Sequence, residues 1–211
     1  DPELGAVFVP HALRVRSRSL PTGGPRLLLC LGGSLRAGSL STGVLRHAAE
    51  LAREAGAQAE IFTVRELPTL FEPGVTRASD PGVSRLRTHV DAASTLLVMT
   101  PIYGGTPSGA VKNLLDVLHL FKDGDVGPLT GRRVVVGAVG GGAITGGYEY
   151  QPGATATLEI ACRNLGAWVS PRHLEFSELM FDASGALVDP LGKDALRTAV
   201  HGLVAPRSVT T

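Results

Sequence analysis

Two hydrophobic patterns alternate along this chain from Arg26 onward. Short continuous apolar runs are typical of strands buried on both faces, and the longer segments between them repeat apolar residues at helical spacing. This alternation predicts an α/β fold, a doubly wound parallel sheet of five strands with helices on both faces. The predicted strands are 27–31, 59–64, 95–100, 133–139 and 168–176.

Apolar stripes and end signals locate the helices between these strands. Gly56 and Gly166 are suited to ending the first and fourth helices, because glycine readily adopts the left-handed conformation that follows many helices. Asp80 is the expected N-cap of the second helix, with Pro81 at its first position. The apolar stripes of the first, second and third helices are Val44, Ala48, Leu51 and Ala55; Val83, Leu86 and Val90; and Val111, Leu114, Leu115 and Leu118. The fourth and fifth helices are predicted at 154–165 and 191–203.

Three loops that follow predicted strands have the composition of a ligand site. They are 33–41, 101–106 and 140–147, all rich in glycine or hydroxyl groups. Ligands of open α/β sheets bind at the carboxyl ends of the strands. In the strand order 2-1-3-4-5 the first, third and fourth strands are neighbours, so we expect the three loops to converge on one pocket.

The first loop, 32–41, is suited to binding a phosphate. Glycine lets backbone N–H groups approach an anion, serine hydroxyls donate hydrogen bonds, the following helix presents its N-terminus, and Arg36 adds a full charge. The loop lacks the Gly-Lys-Ser/Thr ending of a P-loop, the G-x-G-x-x-G of a dinucleotide fold and the second glycine of a G-x-S-x-G elbow. These differences favour a hydroxyl-rich monophosphate site, and the alternative is an ordinary loop that binds nothing.

Composition narrows the class of partner. The chain has 211 residues, of which 44% are hydrophobic and 18% charged, as is typical of a soluble globular domain. A formal net charge of +1 gives no electrostatic case for binding nucleic acid or an anionic membrane, and it disfavours a strongly acidic electron carrier. No apolar run is long enough to predict a transmembrane helix.

The cysteines and the two ends complete the domain prediction. Cys30 and Cys162 fall in predicted buried elements without metal-ligand spacing, as expected of core thiols in a reduced, cytoplasmic protein. Residues 1–25 contain three arginines and a proline- and glycine-rich stretch, and are expected to be a flexible leader, with a basic targeting arm as the alternative. We expect one domain over 26–205 and a frayed tail over 206–211.

Two motifs in this chain resemble the NADPH-dependent FMN reductase family of flavodoxin-like proteins. They are Gly33-Ser34-Leu35-Arg36-x-x-Ser39 and Thr100-Pro101-Ile102-Tyr103-x-x-x-x-Ser108-Gly109-x-Val111-Lys112-x-x-Leu115-Asp116. The resemblance covers residues 26–205. The second motif looks most like the branch associated with sulfonate monooxygenases, whose members supply reduced flavin to a partner oxygenase. Quinone, azo-dye and chromate reductases share much of the same pattern.

The resemblance implies an FMN site built from the three loops. The family often has asparagine where Ser41 stands, and a serine hydroxyl is a shorter donor. By position, the phosphate would be bound by Ser34, Arg36, Ser39 and Ser41; the isoalloxazine ring and ribityl chain would be lined by Pro101, Ile102, Tyr103 and Gly104; and backbone N–H groups for the ring's pyrimidine oxygens would come from Gly140 and Gly141.

Other polar and aromatic residues have simpler interpretations. Lys112 and Asp116 are expected to be helix-surface or dimer-interface charges rather than catalytic groups, since most such pairs are solvated. Tyr148 and Tyr150 would complete the pocket from a partner subunit or act as a lid within one subunit. The six histidines share no metal spacing and are expected to be structural or solvated.

The resemblance implies an NAD(P)H-dependent FMN reductase in which a hydride passes from nicotinamide to FMN, without a dedicated catalytic acid or base. The alternatives are an FMN-bound quinone, azo or chromate reductase, and a non-enzymatic flavodoxin-like electron carrier. Analogy with the family predicts a homodimer or a tetramer. It is also compatible with a partner monooxygenase that receives the reduced flavin. The sequence does not distinguish NADPH from NADH.

Overall fold

The computed structural model describes residues 26–67, 70–140 and 153–205. The expected leader and tail, and most of the third glycine-rich loop, lie outside these ranges. The strands are β1 (Leu27–Gly32), β2 (Gln58–Thr63), β3 (Thr95–Tyr103), β4 (Thr106–Pro107), β5 (Arg133–Gly140), β6 (Trp168–Val169) and β7 (Leu174–Ser177). The α-helices are α1 (Leu40–Glu54), α2 (Pro81–Ala92), α3 (Gly109–Val117), α4 (Gly153–Asn164) and α5 (Pro190–Val204), and short 3₁₀ turns follow β2, α3 and β7.

The sheet has the expected flavodoxin-like strand order. Its sequence is β2-β1-β3-β5-β6, with β7 also paired to β5, and every one of these pairs is parallel. β5 is the predicted fourth strand, and β6 with β7 is the predicted fifth, so the order 2-1-3-4-5 is confirmed. The carboxyl ends of β1, β3 and β5 therefore lie side by side.

Helices cover both faces of the sheet, because alternate residues of the buried strands point to opposite sides. Leu29 and Leu31 of β1 pack with α2, α3 and α4, whereas Leu28 and Cys30 pack with α1 and α5. Burial raises the pKa of the Cys30 thiol to about 12. Both cysteines are buried free thiols, as the sequence predicts.

β3 is longer than the predicted third strand, which ends at Thr100. Its last residues, Ile102 and Tyr103, pair antiparallel with Pro107 and Thr106 of β4 and form a hairpin. The predicted end of the third strand was wrong because its partner β4 has only two residues, Thr106 and Pro107. A threonine and a proline form no hydrophobic pattern, so the sequence does not predict a strand there. Part of the second site loop is thus a hydrogen-bonded hairpin.

The predicted fifth strand is interrupted. β6 pairs with the start of β5 at Arg133, and β7 pairs with its end from Gly137 to Gly140. The N–H of Ser170 still donates to the Val134 carbonyl at 2.8 Å, but the next residue, Pro171, has no N–H to continue the ladder.

Helix ends follow the sequence signals with one difference. Gly56 and Gly166 adopt φ values of 78° and 94° directly after helical segments, as predicted. Asp80 occupies the N-cap position of α2, yet its carboxylate accepts from the N–H of Arg77 rather than from the helix. Across the described ranges, no helix combines the length and apolarity required to cross a membrane.

Candidate functional site

The site lies at the carboxyl ends of β1, β3 and β5, where the described parts of the three predicted loops meet. The N–H of Gly33 donates to the carbonyl of Met99 on β3 at 2.9 Å, which ties the first loop to the third strand. Gly140, the last residue of β5, lies against Ile102 of β3. The first two loops and the start of the third are therefore neighbours, and their convergence on one pocket stays a prediction.

Two glycines let the chain turn sharply out of β1. Gly32 and Gly33 adopt φ values of 110° and 77°, in the region that favours glycine. A Cβ on Gly32 would overlap the carbonyl oxygen of Met99, and one on Gly33 would lie 2.5 Å from Oγ1 of Thr42. Only glycine fits this close crossing of β3 and α1.

Two of the three serine hydroxyls of the first loop, those of Ser39 and Ser41, face each other at the start of α1. The N–H of Arg36 donates to Oγ of Ser34 at 3.1 Å, and Oγ of Ser39 lies 2.8 Å from Oγ of Ser41. All three serines are buried. Ser34 retains its own hydroxyl proton, and the Ser39–Ser41 pair uses only one of its two protons, so two O–H donors remain available.

The N-terminus of α1 is not capped by its own N-cap residue. Ser39 occupies the N-cap position but makes no side-chain capping bond, and the first turn contains no acidic residue. The first N–H groups of a helix have no intrahelical acceptor and carry a partial positive charge. The end of α1 therefore offers backbone donors beside the serine hydroxyls.

Arg36 is exposed and supplies the only full charge of the first loop, 33–41. Among the described residues, its guanidinium makes no ion pair. A planar guanidinium in the same loop as hydroxyl and backbone donors, with no carboxylate in that loop, is the combination of groups that binds a phosphate monoester.

The second loop is fixed by a pair of hydroxyl groups. Oγ1 of Thr100 donates to the Pro101 carbonyl at 2.9 Å and accepts from the N–H of Ser108 at 3.0 Å, while Oγ of Ser108 caps α3 by accepting from Val111. The first residue of α4, Gly153, lies against the carbonyl of Gly105. These contacts hold the hairpin and present Tyr103, which is 59% exposed, at the rim.

The end of β5 packs closely against the end of β3. A Cβ on Gly140 would lie 2.8 Å from Cδ1 of Ile102, so Gly140 sets the position of the half-buried Ile102 side chain. Pro101 is half-buried beside it, and Gly104 is exposed at the hairpin tip with a φ of 58°. The predicted residue Gly141 lies outside the described residues.

Lys112 and Asp116 pair with each other rather than with the residues of the site. Nζ of Lys112 lies 2.6 Å from Oδ1 of Asp116 on the exposed side of α3, as expected of a surface pair. Tyr148 and Tyr150 are outside the described residues. Nε2 of His173 lies 2.9 Å from the Glu159 carboxylate. Among the described residues, no three His, Cys, Asp or Glu side chains are grouped so that they could hold a metal ion.

Sequence reasoning missed two supporting residues of the site. Oγ1 of Thr42 accepts from the N–H of Ser34 at 3.3 Å and fills the space beside Gly33. Thr100 clamps the hairpin through the contacts given above. Thr42 follows the predicted serines directly, but nothing in the sequence distinguishes its hydroxyl from that of an ordinary helix residue.

Comparison with known sequences places this arrangement in a family. The profile of the NADPH-dependent FMN reductase family matches residues 27–178, which include β1, the phosphate loop, the hairpin and β5. The chain belongs to this family. Membership confirms the expectation of an NAD(P)H-dependent flavin oxidoreductase that uses FMN.

Individual relatives of this FMN reductase family member span most of its length. The chain is 29% identical over 184 residues to the NADPH:quinone oxidoreductase of Arabidopsis thaliana, covering 83% of this chain and 88% of the relative. It is 29% identical over 187 residues to the NADPH-dependent FMN reductase ArsH of Shigella flexneri, covering 87% and 69%. The fold matches the flavoenzyme FerB of Paracoccus denitrificans with a TM-score of 0.62 at 20% identity, over 85% of this chain and 95% of that one.

Proposed function

We propose that this protein is an FMN reductase whose phosphate loop, 33–41, holds the flavin phosphate. The donor set at the start of α1 carries the proposal. Two hydroxyl protons and uncapped helix N–H groups lie at the start of α1 without an acidic residue in the first turn, and the exposed Arg36 follows Ser34 by two residues in the same loop. A terminal phosphate with two negative charges fits this set, and no neutral ligand would use it fully.

The hairpin and the end of β5 form the proposed ring site. Pro101, Ile102, Tyr103 and Gly104 line one side, and Gly140 lies opposite the Ile102 side chain. When bound, FMN supplies hydride-accepting chemistry at its ring. We propose that these residues orient the ring and that a nicotinamide approaches it beside the exposed side chain of Tyr103.

The acceptor of the electrons has two candidates. Release of reduced FMN to a partner monooxygenase is one, and it follows from the resemblance of the hairpin motif. Reduction of a quinone on fixed FMN is the other, favoured by the Arabidopsis thaliana relative, which is named an NADPH:quinone oxidoreductase. Saturable stimulation by free FMN supports the first candidate, and stimulation by a quinone without any gain from free FMN supports the second.

We further propose that the protein assembles as a homodimer or a tetramer. Three large apolar side chains, Trp168, Leu179 and Leu191, are each more than half exposed, and Trp168 and Leu191 line the same cavity. Burial of such surface favours association. Light scattering of the purified protein distinguishes an oligomer from a monomer, and a fully active monomer would contradict this part of the proposal.

Flavin titration tests the site directly. We expect FMN to bind more tightly than riboflavin, which lacks the phosphate, and more tightly than FAD, whose adenylate extends from that phosphate. Purified protein should then oxidise NADPH in air. Equal affinity for FMN and riboflavin would contradict the phosphate site, and tighter binding of FAD would contradict its terminal character.

A further inference from the structure

An apolar groove lies between α5 and the outer edge of the sheet, with a volume of about 490 Å³. Its lining includes buried residues of β5, β7 and α5, namely Val135, Leu174 and Leu203. Two large side chains also line it: Trp168 of β6 is 57% exposed, and Leu191 of α5 is 79% exposed. A cluster of exposed apolar side chains around a groove is typical of a surface on which another protein molecule docks.

Trp168 and Leu191 lie at opposite ends of this groove. Trp168 pairs with Arg133 at the start of β5, and the Arg133 guanidinium donates to the carbonyl of Leu203 at 2.7 Å, near the C-terminal end of α5. Leu191 is in the first turn of the same helix, about 18 Å away along its axis. α5 therefore spans the groove from one exposed apolar side chain to the other.

The wall that α5 contributes to the groove has a shape that fits a second copy of itself. Its residues recur every three or four positions and so share one face of the helix; they are Leu191, Asp194, Ala195, Thr198, Ala199 and Gly202. Among the described residues, no atom would lie within 4 Å of a Cβ on Gly202, so there is open space beside it. If two such helices cross antiparallel at the middle of this row, about a two-fold axis, Leu191 of each copy falls opposite Gly202 of the other, at the end that holds Trp168.

The charged residues of the groove complement each other across the same two-fold axis. Arg172, in the bend between β6 and β7, and Asp194 are both exposed, and neither makes an ion pair among the described residues. Arg172 lies between Trp168 and Leu174 along the sheet edge, which places it opposite the middle of α5. An antiparallel second copy brings its own Asp194 to that middle section, so each Arg172 gains a carboxylate from the other copy.

We infer that this groove is the interface of a homodimer, in which two copies pack α5 against α5 and each inserts Leu191 between Gly202 and Trp168 of the other. The inference rests on the assembly proposed above and names the surface that forms it. Burial of Leu191 and Trp168 supplies the apolar centre, and pairing of Arg172 with Asp194 fixes the antiparallel direction. None of the residues that line the groove belongs to the candidate flavin site.

Dilution of the purified protein tests this interface, with assembly followed by ultracentrifugation and by fluorescence. Trp168 is the only tryptophan of the chain, so its emission reports on the groove alone. We expect this emission to shift to longer wavelength as the dimer dissociates, because Trp168 then faces water. Leu191→Arg should raise the dimer dissociation constant about 30-fold or more, whereas Ile160→Arg, at a similarly exposed apolar residue of α4, should not.

Three further variants separate the interface from the fold of the monomer. Gly202→Leu fills the space that the second copy needs but extends into open space in its own chain, so it should weaken the dimer without lowering the thermal stability of the monomer. Arg172→Asp and Asp194→Arg should each raise the dissociation constant about tenfold. The double variant restores opposite charges across the interface and should return the constant to within about threefold of the wild type.

Three results would overturn the inference: variants that keep the wild-type dissociation constant, a charge-swapped double variant that dimerises no better than either single one, or Trp168 emission that stays at short wavelength in the monomer. The last would mean that another part of the chain or a small molecule fills the groove. A wild type that is monomeric at every concentration would contradict the proposed assembly as well. Absence of flavin reduction would refute the reductase proposal alone, because these measurements need no turnover.

Discussion

Oγ of Ser39 and Oγ of Ser41 lie 2.8 Å apart, buried at the start of α1. This contact has a consequence for the helix, because it occupies the hydroxyl that an N-cap serine usually gives to the first turn. The pair keeps two hydroxyl oxygens side by side and leaves the helix N–H groups to an external acceptor. The arrangement is suited to a phosphate and unsuited to stabilising α1 alone.

The Ser39–Ser41 pair predicts how Ser41→Ala behaves. Loss of the Ser41 hydroxyl removes a donor to phosphate and frees Ser39 to cap α1. We expect FMN affinity to fall about tenfold, riboflavin affinity to stay the same, and stability to change little. Flavin titration and thermal unfolding measure these effects, with Ser84→Ala on the exposed side of α2 as the control. An equal loss for both flavins would contradict a phosphate role.

Arg36→Ala should have a larger effect that is again confined to the phosphate. Loss of a charge-assisted hydrogen bond costs about 1.5–3 kcal/mol, so FMN affinity should fall about 10- to 100-fold while riboflavin affinity is retained. Added salt should weaken FMN binding in the wild type more than in the variant. Arg65→Ala, an exposed arginine outside the site, is the matched control. Retained FMN affinity in Arg36→Ala would show that its guanidinium does not reach the phosphate.

The contact between Gly140 and Ile102 predicts a compensating pair of substitutions. Gly140→Ala places a methyl group against the Ile102 side chain and should displace it from the ring site, lowering affinity for FMN and riboflavin alike. Ile102→Ala makes room for that methyl group. The double variant should therefore bind flavin better than the sum of the two single effects predicts. Strictly additive effects in the four-variant cycle would contradict this packing role.

The sharp exit from β1 predicts a strong sensitivity at Gly32. Gly32→Ala combines a strained φ with overlap on the Met99 carbonyl, which cannot move without disturbing β3, and should destabilise the fold by at least about 4 kcal/mol. Gly56→Ala has a similar φ but open space around it, and should cost about 1–2 kcal/mol. Urea unfolding compares the two variants. Similar losses of stability would show that the crossing of β3 tolerates a side chain.

Hydrophobic patterning predicted the framework because each buried strand must be apolar on both faces. The alternation of Leu28 and Cys30 with Leu29 and Leu31 is visible in the sequence and matches the two halves of the core. The hairpin of β3 with β4 was not predictable in this way, since Thr106 and Pro107 carry no strand signal. The break between β6 and β7 depends on Pro171, which has no N–H to donate to β5. This interrupts a strand only where the flanking residues pair with β5, and the sequence does not show that pairing.

Some residues of the candidate site could be predicted from the sequence and others could not. Gly33, Ser34, Arg36 and Ser39 are recognisable from residue type and spacing, because phosphate binding needs small residues, hydroxyls and a cation at a helix start. The supporting roles of Thr42 and Thr100 are not, since their hydroxyls accept from the N–H groups of Ser34 and Ser108, eight residues away in each case, only in the folded chain.

Rapid mixing of the FMN-loaded protein with NADPH in the absence of oxygen tests the central claim most directly. An FMN reductase with an open ring site should lose its oxidised flavin absorbance in a single phase whose rate saturates with NADPH concentration. The Arg36→Ala variant, loaded with excess FMN, should reach a similar limiting rate, because Arg36 acts on the phosphate and not on the ring. Absence of flavin reduction by both NADPH and NADH would contradict the account.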